Sequence, residues 1–317
     1  MNIYFAPLEG ITNYTYRNLY YSFVEDCGIS KFYAPFVSPS ANPMLKGKEI
    51  RDLLPENNNP KINLIPQILC NRSDYFIKAC KQLTDMGYDK EININIGCPS
   101  GTVTSKDKGA GFLRYPDRID SFLDDIFNWK ESNTSNLNIS VKTRIGYQNP
   151  DEFTDILAVY NRYPISELII HPRTRQDMYK NHPNLTSYQY ACENYKGKLV
   201  YNGDINSVAD CEKIVSMFKP EAVMIGRGLI GNPFLAKEIL TGSHLTSNEL
   251  KAYVDRLTET YRPLCPGDTV LLNKMKEFWF YISGNFEDSH KVCKLVRKCQ
   301  TFEKYNMVVD QIFNKYY

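Results

Sequence analysis

The sequence lacks any uninterrupted apolar run of about 18 residues, the length at which a transmembrane helix becomes a candidate. Residues 1–7 also lack a basic segment followed by an apolar stretch, which a secretory signal would require. We therefore expect neither export nor a membrane span, and we predict a cytoplasmic protein.

Cysteine pairs at metal-binding spacing are absent too. The nine cysteines include no Cys-x-x-Cys pair and form no cluster with histidine at the spacing of zinc ligands. Isolated cysteines are typical of free thiols in a reducing cytosol. We therefore predict no disulfide and no metal site.

A strong charge of either sign is also missing. Lysine and arginine total 38 against 36 acidic residues, which gives a net charge of +2. Any nucleic-acid site would therefore be a local basic patch. The chain does have 43% hydrophobic residues over 317 positions, enough for one large domain with a core, or for one large and one small domain.

Short apolar or alternating runs recur at intervals that suit a strand, a helix and then the next strand. This alternation predicts a parallel sheet, and eight repeats are the number that closes a barrel. A doubly wound sheet remains the structural alternative, because periodicity cannot show closure. The eight predicted strands are Ile3–Ala6, Lys31–Ala34, Ile62–Gln67, Ile92–Ile96, Ile139–Thr143, Glu167–His171, Lys198–Tyr201 and Ala222–Ile225.

Helical spacing fills the intervals between these strands and continues after them. No strand pattern follows Gly242, so we predict an α/β (β/α)8 TIM barrel at residues 1–242 and a small all-helical C-terminal domain at residues 243–317. Glu56–Pro60 and Ser132–Asn136 are predicted surface turns. The predicted helices are Tyr14–Glu25, Tyr75–Met86, Arg118–Trp129, Glu152–Tyr160, Val208–Phe218, Asn248–Tyr261, Asn273–Ser283, His290–Tyr305 and Val308–Lys315.

Polar residues follow nearly every predicted strand. In such a barrel the active site is built from loops at the C-terminal ends of the strands, and core packing does not need polar residues there. The loops after the last two strands commonly bind phosphate. There, Gly203, Gly226 and Gly228 let backbone N–H groups approach an anion, and Arg227 adds a charged contact. The alternative is that these glycines only form tight turns.

Lys142 lies within a strand pattern. If its ammonium group points into the barrel, it needs a partner that offsets its desolvation, and an anionic ligand would serve. A reduced flavin is one such ligand, because its negative charge is shared over N1 and the adjacent carbonyl. The alternative is an outward-facing, solvated lysine.

Cys98 follows a predicted strand and precedes a long loop, Ser100–Gly111. An isolated cysteine is usually a small buried hydrophobe. A thiol with a pKa of about 8.5 is protonated at neutral pH and can act as a general acid as well as a nucleophile. A cysteine protease or acyltransferase would need a paired base, for which His171 is the one candidate. That interpretation leaves Lys142 and Gln67 unexplained.

Taken together and in order, these segments resemble the tRNA-dihydrouridine synthases, a family of FMN enzymes with a barrel and a C-terminal helical domain. The matching segments span nearly the whole barrel, and a fainter match, Lys276–Tyr281, extends into the helical part. The segments in the barrel are Ala6–Gly10 with Arg17, Gln67, Asn93–Pro99, Gly109–Leu113, Val141–Gly146, His171–Gln176, Asn202–Ile205 and Met224–Gly228.

The resemblance implies that NADPH reduces the flavin, that hydride passes from N5 to C6 of a uracil in tRNA, and that Cys98 protonates C5. The target uridine must first be turned out of the tRNA. Asn95 and Arg173 are the candidates for holding the base and its neighbouring groups. The residues implied to surround FMN are Pro7, Leu8, Glu9, Gln67, Lys142, His171, Asn202, Gly203, Asp204, Gly226 and Arg227.

Three positions depart from the family pattern. Pro172 and Asn181 stand where glycine is usual, and Leu8 stands where methionine is common. Pro172 removes a backbone donor and stiffens its segment, so it affects the substrate-facing contacts more than the flavin contacts. Leu8 keeps the apolar volume.

The tail carries four cations at three- and four-residue intervals, Lys291, Lys294, Arg297 and Lys298, which we call the basic stripe. On a helix they share one face, and we predict that this face binds tRNA as a substrate contact. The alternative is an ordinary solvated face. We expect a monomer.

Two other functions stay open from the sequence. One is another FMN barrel oxidoreductase that acts on a free pyrimidine, as dihydroorotate dehydrogenases do, although a small substrate does not require the helical tail. The other is a tRNA-binding protein without catalysis, against which the presence of Cys98 and Lys142 argues.

Overall fold

A computed structural model describes residues 1–24, 27–42, 44–133 and 136–317. Its sheet has nine strands, and every strand pair in it is parallel. The strand order is β3-β2-β1-β9-β8-β7-β6-β5-β4. The strands are β1 Asn2–Phe5, β2 Ile29–Tyr33, β3 Leu64–Ile65, β4 Gln67–Ile68, β5 Glu91–Ile96, β6 Asn138–Gly146, β7 Leu168–Thr174, β8 Leu199–Tyr201 and β9 Ala222–Ile225.

The sheet closes on itself, which confirms the predicted (β/α)8 barrel. The first and last strands are neighbours, because β1 pairs with both β2 and β9, and a doubly wound sheet would keep them apart. The two outermost strands, β3 and β4, are separated only by Pro66, which has no N–H to donate to a ladder. The predicted strand Ile62–Gln67 thus occurs as two short strands, β3 and β4. Val37 completes the closure by bridging to Ile68.

The strand that carries His171 continues further than predicted. We expected a loop after His171, but β7 runs to Thr174 through Pro172. Proline is tolerated here because β7 pairs with β8 only over Leu168–Ile170, which leaves the end of the strand without that neighbour.

Helices alternate with the strands, as predicted. The predicted helix Tyr14–Glu25 ends at Phe23, and Glu25 lies outside the described residues. Part of the predicted turn Ser132–Asn136 is helical up to Asn133, and its residues 134 and 135 also lie outside them. The helices of this part are α1 Tyr14–Phe23, α2 Gly47–Leu53, α3 Ser73–Asp85, α4 Gly101–Thr104, α5 Pro116–Asn133, α6 Phe153–Tyr160, α7 Leu185–Asn194, α8 Val208–Phe218, α9 Arg227–Gly231 and α10 Leu235–Thr241.

The C-terminal region is helical, as predicted, with α11 Ser247–Tyr261, α12 Asp268–Ile282, α13 Ser289–Arg297 and α14 Phe302–Lys315. The predicted helix His290–Tyr305 was wrong in its extent. Thr301 interrupts it, because its side chain accepts a hydrogen bond from the N–H of Lys304 and begins a new helix.

This region packs closely on the barrel. The hydroxyl groups of Tyr16 on α1 and Tyr253 on α11 are 2.6 Å apart, and Tyr16 stacks on Phe278 of α12. One continuous set of buried apolar residues includes both parts. Gly242, at the predicted domain boundary, adopts a left-handed conformation that ends α10. The division at residue 242 stays a prediction. Across the described residues, no helix has the length and hydropathy of a membrane span.

Candidate active site

A cavity of about 640 Å³ opens at the C-terminal mouth of the barrel. Because parallel strands end at the same edge, side chains that are far apart in sequence meet here. Thirteen of the predicted site residues line it: Pro7, Leu8, Glu9, Gln67, Asn95, Cys98, Lys142, His171, Asn202, Gly203, Asp204, Gly226 and Arg227.

The loops after β8 and β9 form one side of this cavity. Asn202 donates a side-chain hydrogen bond to the Met224 carbonyl at 2.7 Å and so ties the loop after β8 to strand β9. A Cβ atom at Gly226 would lie 3.2 Å from Leu8 Cδ1, so the glycine leaves the cavity wall open. At Gly228 a Cβ atom would collide with the Ile205 carbonyl, which makes that glycine a packing requirement. The backbone here can approach an anion closely.

Asp204 organises the cations beside these loops. Its carboxylate accepts from Arg227 at 2.6 Å and from both terminal nitrogens of Arg173 at 2.9 and 2.5 Å. Burial would raise the pKa of Asp204, but the hydrogen bond and charge of Arg173, followed by those of Arg227, lower it below its ordinary value. Asp204 therefore remains ionised and holds Arg227 at the cavity wall.

Arg173 is placed differently from the prediction. Its side chain is 2% exposed and is not among the residues that line the cavity. Its guanidinium group contacts Asp204, His171 and the Asn181 carbonyl. A direct substrate contact by Arg173 is therefore not supported by this geometry, because its donors are engaged inside the protein.

The contact between Arg173 and His171 fixes which ring nitrogen of the imidazole carries the proton. Arg173 Nη1 lies 3.0 Å from His171 Nε2, and arginine can only donate, so Nε2 must accept. The proton of the neutral ring is thus on Nδ1. Burial, followed by the charges of Arg144 and Lys142, lowers the pKa of His171 well below its ordinary value. His171 is not arranged as the base that a cysteine protease would need.

Lys142 on β6 lies at the cavity wall and is partly exposed to it. Burial, followed by the neighbouring charge of Arg144, lowers the pKa of Lys142 to about 7. No salt bridge to Lys142 occurs in the described parts of the chain. Of the two alternatives that the sequence left open, the structure therefore places Lys142 at the cavity and not on the outer surface, where a negatively charged group would be a suitable partner.

Cys98 follows β5 and also lines the cavity. Its backbone N–H donates to Asn95 Oδ1 at 2.9 Å, and its carbonyl accepts from the Ala110 N–H at 3.0 Å, so the turn is held from two sides. Burial raises the pKa of the Cys98 thiol above its ordinary value, although Arg144 and Lys142 oppose this change. The thiol is therefore protonated at neutral pH.

Among the lining residues that were not predicted as site residues, four bear on the chemistry of the mouth. Arg144 donates to the carbonyls of Gly97 and Thr174, which fixes the ends of β5 and β7 relative to each other. Its alternation with Lys142 on one strand was a usable signal. The other three are aromatic: Tyr179, whose ring contacts the guanidinium groups of Arg144 and Arg227, and Phe280 and Tyr281 on α12. They come from a loop and from the helical region.

The basic stripe lies on α13 and on Lys298, the residue that follows it. All four of its cations are exposed, while Val292 and Val296 on the opposite face of α13 are buried. None of the four lines the cavity. Lys291 also contacts the ring of Tyr316, with its Nζ 5.2 Å from the ring centre. Binding of tRNA by this stripe stays a prediction.

The fold defines a (β/α)8-barrel protein with a cavity at its C-terminal mouth and a helical C-terminal region. The sequence model of the dihydrouridine synthase family matches residues 4–311. The protein belongs to this family.

Individual relatives agree with this assignment. A probable tRNA-dihydrouridine synthase of Staphylococcus aureus strain Mu50 is 29% identical over 238 residues, covering 72% of this chain and 68% of the relative. The tRNA-dihydrouridine synthase B of Pasteurella multocida is 27% identical over 235 residues, covering 74% and 67%.

Solved structures with a similar fold include the old yellow enzyme from Trypanosoma cruzi, with a TM-score of 0.56, 10% identity, and coverage of 82% of this chain and 93% of that one. Histamine dehydrogenase from Rhizobium sp. 4-9 has a TM-score of 0.58, 11% identity, and coverage of 80% and 49%. At these identities the likeness shows the fold alone.

Proposed function

We propose that this protein is a tRNA-dihydrouridine synthase that reduces the C5–C6 double bond of a uridine in tRNA, with FMN as cofactor and NADPH as reductant. One observation carries the proposal. A single cavity brings together the protonated thiol of Cys98, the lysine side chain of Lys142, and the amide of Asn95. Family membership supports the same conclusion.

The cavity suits FMN at both ends. The loops at Gly203 and Gly226 offer backbone N–H groups and Arg227 to a terminal phosphate. Lys142 offers a cation to the region of the flavin that becomes negative on reduction. Bound FMN supplies the hydride that the reaction requires. A volume of about 640 Å³ is typical of a site for a cofactor-sized ligand.

The residues of the protein orient the base and supply the proton. Asn95 faces the cavity and contacts the polar edge of the uracil. Cys98 donates its proton to C5, because a thiol whose pKa is raised holds that proton at neutral pH. His171 is engaged by Arg173, so it does not compete for this role. The uridine enters after it has been turned out of the tRNA.

The helical region favours a macromolecular substrate over a free pyrimidine. Phe280 and Tyr281 on α12 reach the mouth of the cavity, and Phe280 is 65% exposed. Exposed aromatic rings are stacking platforms for nucleotides. The basic stripe adds a surface for phosphates. We further propose that the protein acts as a cytoplasmic monomer.

The test is to incubate the purified, FMN-loaded protein with NADPH and a tRNA transcript, and to digest the RNA for mass spectrometry. A uridine that gains two hydrogen atoms is the expected product. Free uridine and uracil are run in parallel. Reduction of the free pyrimidines at a rate equal to that of tRNA would replace this proposal with the free-pyrimidine alternative. A protein that cannot be loaded with FMN would refute both.

A further inference from the structure

A continuous series of side-chain hydrogen bonds runs through the barrel interior and ends at the turn of Cys98. Its members are Glu91, Ser140, Asn93, Gln67 and Asn95, which we call the interior network. Ser140 Oγ donates to Glu91 Oε1 at 2.7 Å, and Asn93 Nδ2 donates to Ser140 Oγ at 2.8 Å. Gln67 Nε2 donates to Asn93 Oδ1 at 2.7 Å, and Asn95 Nδ2 donates to Gln67 Oε1 at 2.7 Å.

The strand register creates this series. Gln67 on β4, Asn93 on β5 and Ser140 on β6 are direct neighbours in the sheet. Glu91 and Asn95 lie two positions before and after Asn93 on the same strand, so all three point to the same face. Every member of the interior network is buried, at 8% exposure or less.

The groups at the two ends of the interior network require the same donor-to-acceptor direction along it. At one end Glu91, which forms an ion pair with Lys31 at 2.7 Å, can only accept hydrogen bonds. At the other end the backbone N–H groups of Gly97 and Cys98 donate to Asn95 Oδ1 at 3.0 and 2.9 Å, and they can only donate. The three amides between these ends therefore have one consistent orientation.

A reversed orientation would break contacts at both ends. Asn95 would place its NH2 group against two backbone N–H donors. If the amides of Gln67 and Asn93 also turned over, Asn93 would present its oxygen to Ser140. The Ser140 hydroxyl would then have to leave Glu91 in order to donate to Asn93. Buried polar groups without partners are costly. Glu91 and Ser140 thus oppose a concerted reversal from one end of the network, as the backbone N–H groups of Gly97 and Cys98 oppose it from the other.

The fixed orientation decides what Asn95 offers to a ligand. Its Oδ1 is occupied by the turn, while Nδ2 retains one hydrogen beyond the one given to Gln67. Asn95 lines the cavity, so it presents a donor to it. Uracil carries carbonyl acceptors on its polar edges, whereas the amino group of cytosine is itself a donor. A buried donor rejects a ligand that cannot pair with it.

We propose that Glu91, Ser140 and Asn93 are positioning residues that hold the Asn95 amide with its N–H side toward the cavity, so that the site takes the carbonyl edge of a uracil ring. They act through Gln67 and Asn95 and do not touch the base. The inference rests on the proposed function, because it assigns these residues a part in the reduction of uridine.

The first variant for the test is Ser140→Ala, measured in FMN-loaded, full-length protein. The rate at which tRNA reoxidises the reduced flavin in a single turnover should fall roughly tenfold to a hundredfold, as expected when a reacting group is misplaced. The dissociation constant for tRNA and the rate of NADPH oxidation should stay at the wild-type level. Ser140→Thr, which keeps the hydroxyl, should restore most of the lost rate.

Two further variants separate positioning from packing. Ser166→Ala is the matched control, because the Ser166 hydroxyl is buried and has no hydrogen-bond partner among the residues that the structure describes, so its loss should leave the rate unchanged. Asn93→Leu removes an amide of similar size from the interior network and should reproduce the loss. The double variant Asn93→Leu with Ser140→Ala should be no slower than Asn93→Leu alone, since both act through one network.

Several outcomes would overturn the inference. They are a wild-type rate in both single variants, a loss in Ser166→Ala equal to that in Ser140→Ala, and a loss of bound FMN in a folded variant. If Ser140→Ala fails to fold, Asn93→Leu provides the same comparison. Failure of the wild-type protein to reduce tRNA would instead refute the proposed function.

Discussion

The depressed pKa of Lys142 predicts that an anionic cofactor binds together with a proton. With a pKa of about 7, only ~3% of Lys142 is charged at pH 8.5 in the cofactor-free protein. A negative group placed beside it would favour the charged form. Binding of reduced FMN at pH 8.5 should therefore take up close to one proton per site. Protonating this lysine costs about 2 kcal/mol at that pH.

The assay is anaerobic titration calorimetry of reduced FMN in two buffers of different ionisation enthalpy. The difference in apparent enthalpy between buffers gives the number of protons taken up. Lys142→Met should abolish the uptake, while Lys198→Met, which removes an exposed lysine near β8, should not change it. Equal uptake in wild-type and Lys142→Met proteins would refute the assignment of Lys142 to an anionic ligand.

The same lysine predicts how the stability of the cofactor-free protein depends on pH. Its folded pKa is lower than its unfolded pKa, so the unfolded state binds more protons between about pH 7 and 10.5. The contribution of Lys142 to the free energy of unfolding should thus rise with pH across that window, by at most about 1.4 kcal/mol per pH unit. In urea unfolding, Lys142→Met should show a shallower rise. A profile parallel to the wild type would contradict the lowered pKa.

Three more predictions concern the cavity and the basic stripe. Cys98→Ala should retain FMN and NADPH oxidation but reduce tRNA roughly 10²–10⁴ times more slowly in single-turnover kinetics, because the proton donor is lost; an unchanged rate would show that another group delivers the proton. Arg227→Ala should weaken FMN binding by about 1.5–3 kcal/mol through the loss of a charged phosphate contact, and unchanged affinity by fluorescence titration would remove Arg227 from the site. Replacing all four residues of the basic stripe with alanine should weaken tRNA binding without altering FMN content. The slope of log affinity against log salt concentration should become shallower by about 0.7–0.9 for each lost charge that contacts a phosphate. An unchanged salt slope would show that the basic stripe is a solvated surface that does not contact tRNA. The matched control is a variant with alanine at four exposed lysines of the barrel, Lys78, Lys81, Lys198 and Lys213.

The sequence was sufficient to locate the cavity because a parallel barrel brings all C-terminal strand ends to one edge. The polar residues within or just after the ends of the predicted strands therefore identified Gln67, Lys142 and Asn202 as neighbours before any distance was known. For Arg173 the sequence predicted a substrate contact that the geometry does not support. Arg173 lies two positions after His171 on the same strand. Only the fold shows that Asp204 and the Asn181 carbonyl engage the donors of Arg173 inside the protein.

Residues that reach the mouth from segments other than the strand ends were beyond the sequence argument. Tyr179 comes from a loop, and Phe280 comes from α12, so their positions depend on how the helical region packs on the barrel. That packing uses buried contacts such as Tyr16 with Phe278, between positions far apart in the chain. Local periodicity carries no information about such contacts.

The sequence by itself determined the alternating strands and helices and the polar residues at the ends of the strands, and therefore much of the chemistry gathered at the mouth. It placed Asn93 and Asn95 two residues apart on one strand. Only the tertiary structure decided that Asn93 lies beside Gln67 and Ser140, since a shift of the register would pair it with other residues. The interior network exists because hydrogen bonds between strands fix that register, and the partners on those strands lie 26 and 47 positions from Asn93 along the chain.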